Sequence, residues 1–190
     1  MQLSRFEIRL SGTGGQGVIT LGRILGHGLA LEHGYYVTQT QSYGPEARGG
    51  ASRADLVVNS EPINYPKPEQ LDFLVALSQE ACNRYFQRLK SNGRLFVDTS
   101  LVQQAPSNQF WGIPCTSIAK DTIGLVQATN IVALGALTHL LPFVRRAAMK
   151  RSLEANLPGK ILELNLKAFA AGYNQARKDI PEGPEQWTFS

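Results

Sequence analysis

Cysteine is scarce in this sequence, and the scarcity limits the chemistry that the chain can carry by itself. The 190 residues include two cysteines, Cys82 and Cys115, and neither belongs to a CxxC pair or a Cys/His cluster. Iron–sulfur clusters and structural zinc need several such ligands at close spacing. We therefore expect no cluster or metal on this chain alone, and two isolated thiols fit a reducing, cytoplasmic setting better than a disulfide framework.

Long apolar runs and a strong charge bias are also missing. No apolar stretch approaches the roughly 18 residues of a membrane-spanning helix, and the opening residues MQLSRFEIRL lack the apolar core of a secretory signal. Lysine and arginine number 19 against 15 acidic residues, for a formal net charge of +4. This modest, dispersed excess predicts neither a nucleic-acid nor a membrane partner, and it suits an acidic ligand or partner.

The hydrophobic pattern predicts one α/β domain over residues 1–190. The segment FEIRLSG alternates apolar and polar residues as a strand does, and residues 18–34 follow with the spacing of an amphipathic helix. Further strands are expected at 35–40, 54–60, 71–78, 94–100 and 111–119, and further helices at 80–90, 123–141, 144–156 and 160–178. This order predicts an open, mostly parallel α/β sheet with flanking helices and a helical C-terminal part.

The segment SGTGGQGVIT joins the first strand to the first helix and contains a glycine-rich turn. Gly12, Gly14 and Gly17 fit G-x-G-x-x-G, in which glycines let the backbone approach an anion at a helix N-terminus. A nicotinamide site also needs an acidic residue near the end of the second strand. That region reads VTQTQSYG, without an acid. Three interpretations stay open: another anionic ligand, a dinucleotide, or glycines that only let the helix pack on the sheet.

Gln16 stands at the start of the helix, where it can hydrogen-bond a ligand or a neighbouring loop, or simply face solvent. A second unusual stretch, SYGPEARGGASR, follows the second strand and is predicted to be a loop over residues 41–53. Arg48 and Glu46 are either a surface ion pair or part of a ligand site. The loop is expected at the carboxyl edge of the sheet beside the glycine turn, where open α/β sheets bind ligands.

Together these stretches resemble a known family. GTGGQG, TQTQSYGPEARGGASRADLVVNSEPINYP, LDFLVALSQEA and NIVALGAL occur in the order seen in gamma subunits of 2-oxoacid:ferredoxin oxidoreductases, and the 2-oxoglutarate branch is the most similar. The resemblance covers about residues 6–178. It implies a Rossmann-like gamma-type subunit that acts in a heteromeric complex and is inactive alone. Alpha and beta subunits would bind thiamine diphosphate, and a ferredoxin-like subunit would carry the iron–sulfur clusters.

The resemblance further implies that this subunit helps to position coenzyme A for chemistry on its partners. Under that hypothesis no residue here is catalytic. The expected contact residues are Gly12, Gly14, Gly15, Gln16, Gly17, Tyr43, Gly44, Glu46, Arg48, Gly49, Gly50 and Asn130. The alternatives are a free-standing Rossmann-type oxidoreductase that uses a nucleotide, and a binding protein. Asp98, the three histidines and the basic segment RRAAMKR are expected to be mainly structural or solvent-facing.

Overall fold

Strands and helices alternate along the first part of the chain and give way to helices in the second. The computed structural model describes residues 2–42, 51–107 and 110–187, and these contain six strands and six α-helices. The strands are β1 (Phe6–Thr13), β2 (Tyr36–Ser42), β3 (Ala51–Asn59), β4 (Leu71–Ala76), β5 (Leu89–Asp98) and β6 (Phe110–Ile113). The helices are α1 (Val18–His27), α2 (Gln79–Tyr85), α3 (Cys115–Ser117), α4 (Thr129–Leu140), α5 (Arg146–Asn156) and α6 (Gly159–Asp179).

The strands form one sheet in the order β2-β3-β1-β4-β5-β6. β1, β4, β5 and β6 pair in parallel, whereas β3 pairs antiparallel with both β1 and β2. Of these six strands, β3 therefore runs against the other five. The prediction of an open, mostly parallel α/β sheet with a helical C-terminal part is confirmed, with one antiparallel strand that the sequence pattern did not reveal.

The two faces of the sheet have different coverings. Side chains alternate along β1, so Ile8 and Leu10 enter a large apolar cluster with α1, α4, α5 and α6. On the opposite face, α2 packs on β4 and β5 in a smaller cluster. There β1 presents the polar side chains Glu7, Arg9 and Ser11, all buried. The large cluster holds the start of α1 firmly against the end of β1.

The predicted helix 80–90 is wrong at its end. α2 stops at Tyr85, a 3₁₀ turn covers Phe86–Arg88, and β5 begins at Leu89. The residues Ser91, Asn92 and Gly93, expected to end a helix, lie in an irregular stretch of β5 where the pairing with β4 shifts register. Bulges and helix ends favour similar residues, so the sequence pattern did not distinguish this bulge from the end of a helix.

The predicted strand 111–119 is also wrong in its second half. β6 ends at Ile113, and the chain from Cys115 through Ile123 is helical, first as α3 and then as a π-helical segment. Pro114 precedes α3, and its missing N–H is tolerated at a helix start. In the same way, β3 begins at Ala51, inside the predicted loop 41–53. No helix in the described part of the chain is long and apolar enough to cross a membrane.

Candidate functional site

The glycine turn lies at the carboxyl end of β1, as predicted. Gly15 and Gly17 have φ of 90° and 70°, a region that other residues adopt only with strain. Gly17 is the N-cap residue of α1 and supplies no side chain to cap it. The first turn of α1 also contains no acidic residue. The first N–H groups of an α-helix have no acceptor within the helix. Since no side chain of α1 replaces that acceptor, its N-terminus favours an anion.

The side chain of Gln16 connects this turn to the end of the neighbouring strand β4 by hydrogen bonds. Its Oε1 accepts a hydrogen bond from the backbone N–H of Thr13 at 2.7 Å, and its Nε2 donates to the carbonyl oxygen of Leu77 at 2.9 Å. Leu77 follows β4, which pairs with β1. Of the roles considered for Gln16, the structure favours the bond to a neighbouring segment, and the side chain sets the shape of the turn.

The four glycines of the turn have different surroundings. A Cβ on Gly12 would overlap the side chain of Gln16, and one on Gly17 would overlap Asn130. A Cβ on Gly14 or Gly15 would meet no atom of the described residues within 4 Å. Gly12 and Gly17 are thus explained by packing. Gly14 is not, because it has neither a close neighbour nor a positive φ.

Asn130 joins the start of α4 to the start of α1. Its Nδ2 donates to the carbonyl oxygen of Gly17 at 3.1 Å, and the residue is 5% exposed. Its Oδ1 is buried and accepts no hydrogen bond from any residue that the structure describes. A buried acceptor without a partner costs free energy, of the order of 1–3 kcal/mol. Asn130 therefore holds the turn through its Nδ2, while its Oδ1 has no hydrogen-bond donor among the described residues.

A cavity of about 270 Å³ opens beside Gly14, Gly15 and Gly17 of the turn. It is lined by the turn, by the first residues of α1 and by Ser52 of β3. Gly14 and Gly15 are exposed here. The arrangement offers backbone N–H groups and hydroxyl groups to an anion, and none of the described residues that line it has a charged side chain.

Six predicted site residues, Tyr43, Gly44, Glu46, Arg48, Gly49 and Gly50, lie outside the described residues. The residues on either side of them are placed. β2 ends at Ser42, and β3 begins at Ala51, which pairs with Thr13 at the glycine turn. Ser52 lines the same cavity as Gly14. Sequence reasoning missed Ser52 because the pairing of β3 with β1, which sets Ser52 opposite Gly12, is a long-range contact without a local signal.

The dinucleotide interpretation does not fit the sheet. In a dinucleotide-binding fold the second strand lies beside the first and brings its acidic end to the ribose. Here β3 lies between β1 and β2, so β2 is two strands away, roughly 10 Å. Gln39, Thr40 and Gln41, which stand where the sequence lacks the acid, lie on this distant edge strand.

The other polar candidates are occupied by structural contacts. The carboxylate of Asp98 is fully buried and accepts from the N–H of Ser100 and from the N–H and hydroxyl of Thr116. His27 contacts Ser152, and His139 contacts the carbonyl oxygen of Ile180. Asp98 thus joins the end of β5 to α3, and both histidines tie helices to their neighbours.

Both thiols are poorly suited to nucleophilic chemistry. Burial raises the pKa of Cys82, and burial together with the nearby Asp98 charge raises the pKa of Cys115 well above its ordinary value. A raised pKa keeps the thiol protonated at neutral pH and therefore unreactive. Among the described residues, no group of three or more His, Cys, Asp or Glu side chains is placed to hold a metal ion.

Fold and site together define a Rossmann-like domain with an anion-favouring helix start. Residues 7–175 match the model of the pyruvate ferredoxin/flavodoxin oxidoreductase family, and the chain belongs to that family. It is 44% identical to the 2-oxoglutarate synthase subunit KorC of Methanocaldococcus jannaschii, over 92% of this chain and 95% of that protein. The resemblance inferred from the glycine turn and the second loop is confirmed.

Solved structures share the fold. The gamma subunit of a keto/oxoacid ferredoxin oxidoreductase from Geobacter sulfurreducens superposes with a TM-score of 0.84 at 38% identity, covering 92% of this chain and 98% of that one. A 2-oxoglutarate:ferredoxin oxidoreductase from Magnetococcus marinus, solved with 2-oxoglutarate, coenzyme A and succinyl-CoA bound, has a TM-score of 0.81 at 24% identity. The match covers 92% of this chain and 31% of that longer one, and at this identity it establishes the fold alone.

Proposed function

We propose that this chain is the gamma-type subunit of a 2-oxoglutarate:ferredoxin oxidoreductase and that it acts only within the assembled complex. Family membership and the 44% identity to a 2-oxoglutarate synthase subunit support the reaction class and the choice of 2-oxoacid. The complex would convert the 2-oxoacid to acyl-CoA, carbon dioxide and reduced ferredoxin. Thiamine diphosphate and iron–sulfur clusters would be held by alpha, beta and ferredoxin-like partner subunits in the cytoplasm.

We further propose that the glycine turn helps to position coenzyme A. The carrying observation is the start of α1, which has no side-chain cap and no acidic residue and opens into a cavity at the carboxyl edge of the sheet. Coenzyme A bears phosphate groups, and backbone N–H groups at a helix N-terminus favour such anions. Gly14 fits this role because the space above it is free. Asn130 would act indirectly, because it is buried and its Nδ2 donates to the carbonyl oxygen of Gly17 in the turn.

The second loop would complete the same surface. Its flanking residues Ser42 and Ala51 end at the rim that carries the turn. Arg48 would hold a phosphate through its planar guanidinium, and Glu46 would orient Arg48. The ring of Tyr43 would pack against the ligand. The absence of side chains at Gly44, Gly49 and Gly50 would let the loop backbone come close to the ligand or a partner subunit. The contribution of this chain is positioning, which turns a bimolecular encounter into a reaction within one complex.

Replacing Arg48 in the assembled enzyme tests this role. We expect Arg48→Ala to raise the KM for coenzyme A at least tenfold, with little change in the KM for the 2-oxoacid. Arg177→Ala provides a matched control, because Arg177 is exposed on α6. Equal KM values for coenzyme A in wild type and Arg48→Ala would contradict the role of the loop.

The assembly itself needs a separate test. We expect the purified chain to be inactive and colourless, and to gain 2-oxoacid-dependent ferredoxin reduction only with thiamine- and cluster-bearing subunits. Bound flavin, or reduction of NAD by the isolated chain, would favour the free-standing oxidoreductase and contradict the subunit proposal.

A further inference from the structure

A second concave surface lies on the face of the sheet that carries α2. We call it the basic groove, and its volume is about 640 Å³. Among the described residues, five cations line it, Arg9, Arg53, Lys67, Arg84 and Arg88, against the one carboxylate of Asp55. Among the described residues, the groove shares no lining residue with the cavity at the glycine turn. It is therefore a separate cavity, although Ser42, which precedes the second loop, lines it.

The deepest charges in the basic groove already neutralise each other. Arg9 donates two hydrogen bonds to the carboxylate of Asp55, at 2.7 and 2.8 Å, and both side chains are about 6% exposed. Arg53 approaches the same carboxylate less closely, at 3.7 Å. The buried pair forms the floor of the groove. Because Asp55 is paired with Arg9, the four other cations face an excess of positive charge among the described lining residues.

The rim arginines are held in place rather than free in solvent. The guanidinium of Arg53 lies 5.7 Å from the ring centre of Tyr85, on which Arg9 also packs at 4.8 Å. Arg88 donates to the carbonyl oxygen of Glu69 at 2.9 Å, which orients the side chain without neutralising it. Such ordering reduces the entropy that binding an anion would cost.

Two further rim cations have no counter-ion. Among the described residues, neither Lys67 nor Arg84 has a carboxylate within 4 Å, and both are exposed. Arg84 lies in α2 and Arg88 ends the 3₁₀ turn that follows it, and both line the groove. Because Arg53 belongs to β3, strand and helical segments both contribute guanidinium groups to this one concave space.

The size and polarity of the groove favour a small polyanion over a protein surface. Small-molecule sites typically measure 300–1,000 Å³, and about 640 Å³ falls in that range. A protein interface instead has an apolar centre with few charges, whereas charges line this groove. We propose that the basic groove binds a small molecule that carries a diphosphate group, with the rim arginines donating paired hydrogen bonds to its oxygens.

The test titrates the full-length chain with inorganic pyrophosphate by isothermal calorimetry at low ionic strength, where charge effects are least screened. We expect saturable binding that depends on the rim arginines. The double variant Arg84→Gln/Arg88→Gln should weaken binding at least tenfold. The matched control Arg177→Gln/Lys178→Gln removes the same charge from exposed residues of α6 and should change binding less than twofold.

Three results would overturn the proposal: no saturable binding up to millimolar pyrophosphate, equal weakening by the two double variants, or equal weakening by Gly14→Val. Equal weakening by the double variants would mean that only the net charge matters. Weakening by Gly14→Val would place the anion at the glycine turn. Circular dichroism and urea unfolding of each variant, with wild-type profiles expected, show that the variants remain folded.

Discussion

At the scale of single residues, the turn between β1 and α1 combines two kinds of glycine. Gly12 and Gly17 are fixed by packing against Gln16 and Asn130, and Gly17 also has a positive φ. Gly14 has free space above it and no positive φ. A motif that looks uniform in the sequence therefore separates into glycines that shape the turn and one that leaves room above it.

This separation predicts different effects on stability. Gly17→Ala should lower the free energy of unfolding by about 1–3 kcal/mol, because it strains the backbone and displaces Asn130. Gly12→Ala should also destabilise, since it forces Gln16 away from its two hydrogen bonds. Gly14→Ala should stay within about 0.5 kcal/mol of wild type. Urea unfolding of the three variants measures this, and a large loss for Gly14→Ala would contradict the assignment.

The sequence was informative about the turn and much less so about its neighbours. The position of the turn after a strand and before a helix follows from local pattern. The hydrogen bond from Gln16 to Leu77 joins residues 61 positions apart, so it cannot be predicted from the local sequence pattern. The same holds for the basic groove, since Arg9, Arg53 and Arg84 meet only through the pairing of β1 with β3 and the packing of α2.

At the scale of secondary-structure elements, α4 and α6 approach each other through glycines. A Cβ on Gly172 would overlap the backbone of Val132, and one on Gly135 would overlap that of Phe169 and Tyr173. The two helices are therefore in backbone contact. α4 carries Asn130 to the glycine turn, so this close packing also positions part of the candidate site.

Gly172→Ala should therefore be destabilising despite the better helix propensity of alanine. We expect a loss of about 1–3 kcal/mol from overpacking, against a gain of roughly 1 kcal/mol from propensity. Gly159→Ala on the same helix is the control, because a Cβ there meets nothing within 4 Å. Thermal or urea unfolding should show a loss only for Gly172→Ala, and two equally stable variants would argue against backbone contact.

A second element-scale contact is sensitive to pH. His33 Nδ1 donates to the carbonyl oxygen of Gly28, and His33 Nε2 accepts from the N–H of Arg145, each at 2.8 Å. This geometry requires the neutral ring. Burial, with a further contribution from the charges of Arg145 and Arg151, lowers the pKa of His33 below 6.5, although the bond to Gly28 and the charge of Glu32 oppose the shift. The π-helical segment Gly28–Glu32 and the start of α5 are joined through this ring.

The lowered pKa gives a definite sign to the pH dependence of stability. The unfolded chain takes up a proton at His33 before the folded chain does, so stability is greatest above pH 6.5 and falls as the pH drops below that value. The variant His33→Gln should show a weaker decline between about pH 7.5 and 5.5. Urea unfolding at several pH values measures both slopes, and identical slopes would exclude His33 as the cause.

At the scale of the whole molecule, the order of elements predicts the class of fold but not the arrangement of the sheet. Alternating strands and helices identify an α/β protein, and the resemblance carried by the glycine turn and second loop identifies the family. The placement of β3 between β1 and β2 depends on long-range pairing, which strand patterns do not encode. The position of β3 brings Ala51 and Ser52 to the turn. It also separates β2, whose end would bind the ribose in a dinucleotide site, from β1.

The central claim is that the glycine turn faces coenzyme A in the assembled enzyme, and the KM for coenzyme A of Gly14→Val tests it most directly. A Cβ at Gly14 meets no described atom within 4 Å, and Gly159→Val makes the same change at a glycine on α6 whose Cβ is equally unobstructed. We predict at least a tenfold rise in KM for Gly14→Val alone, with unchanged unfolding and an unchanged KM for the 2-oxoacid. A KM for coenzyme A equal to that of wild type would contradict the account.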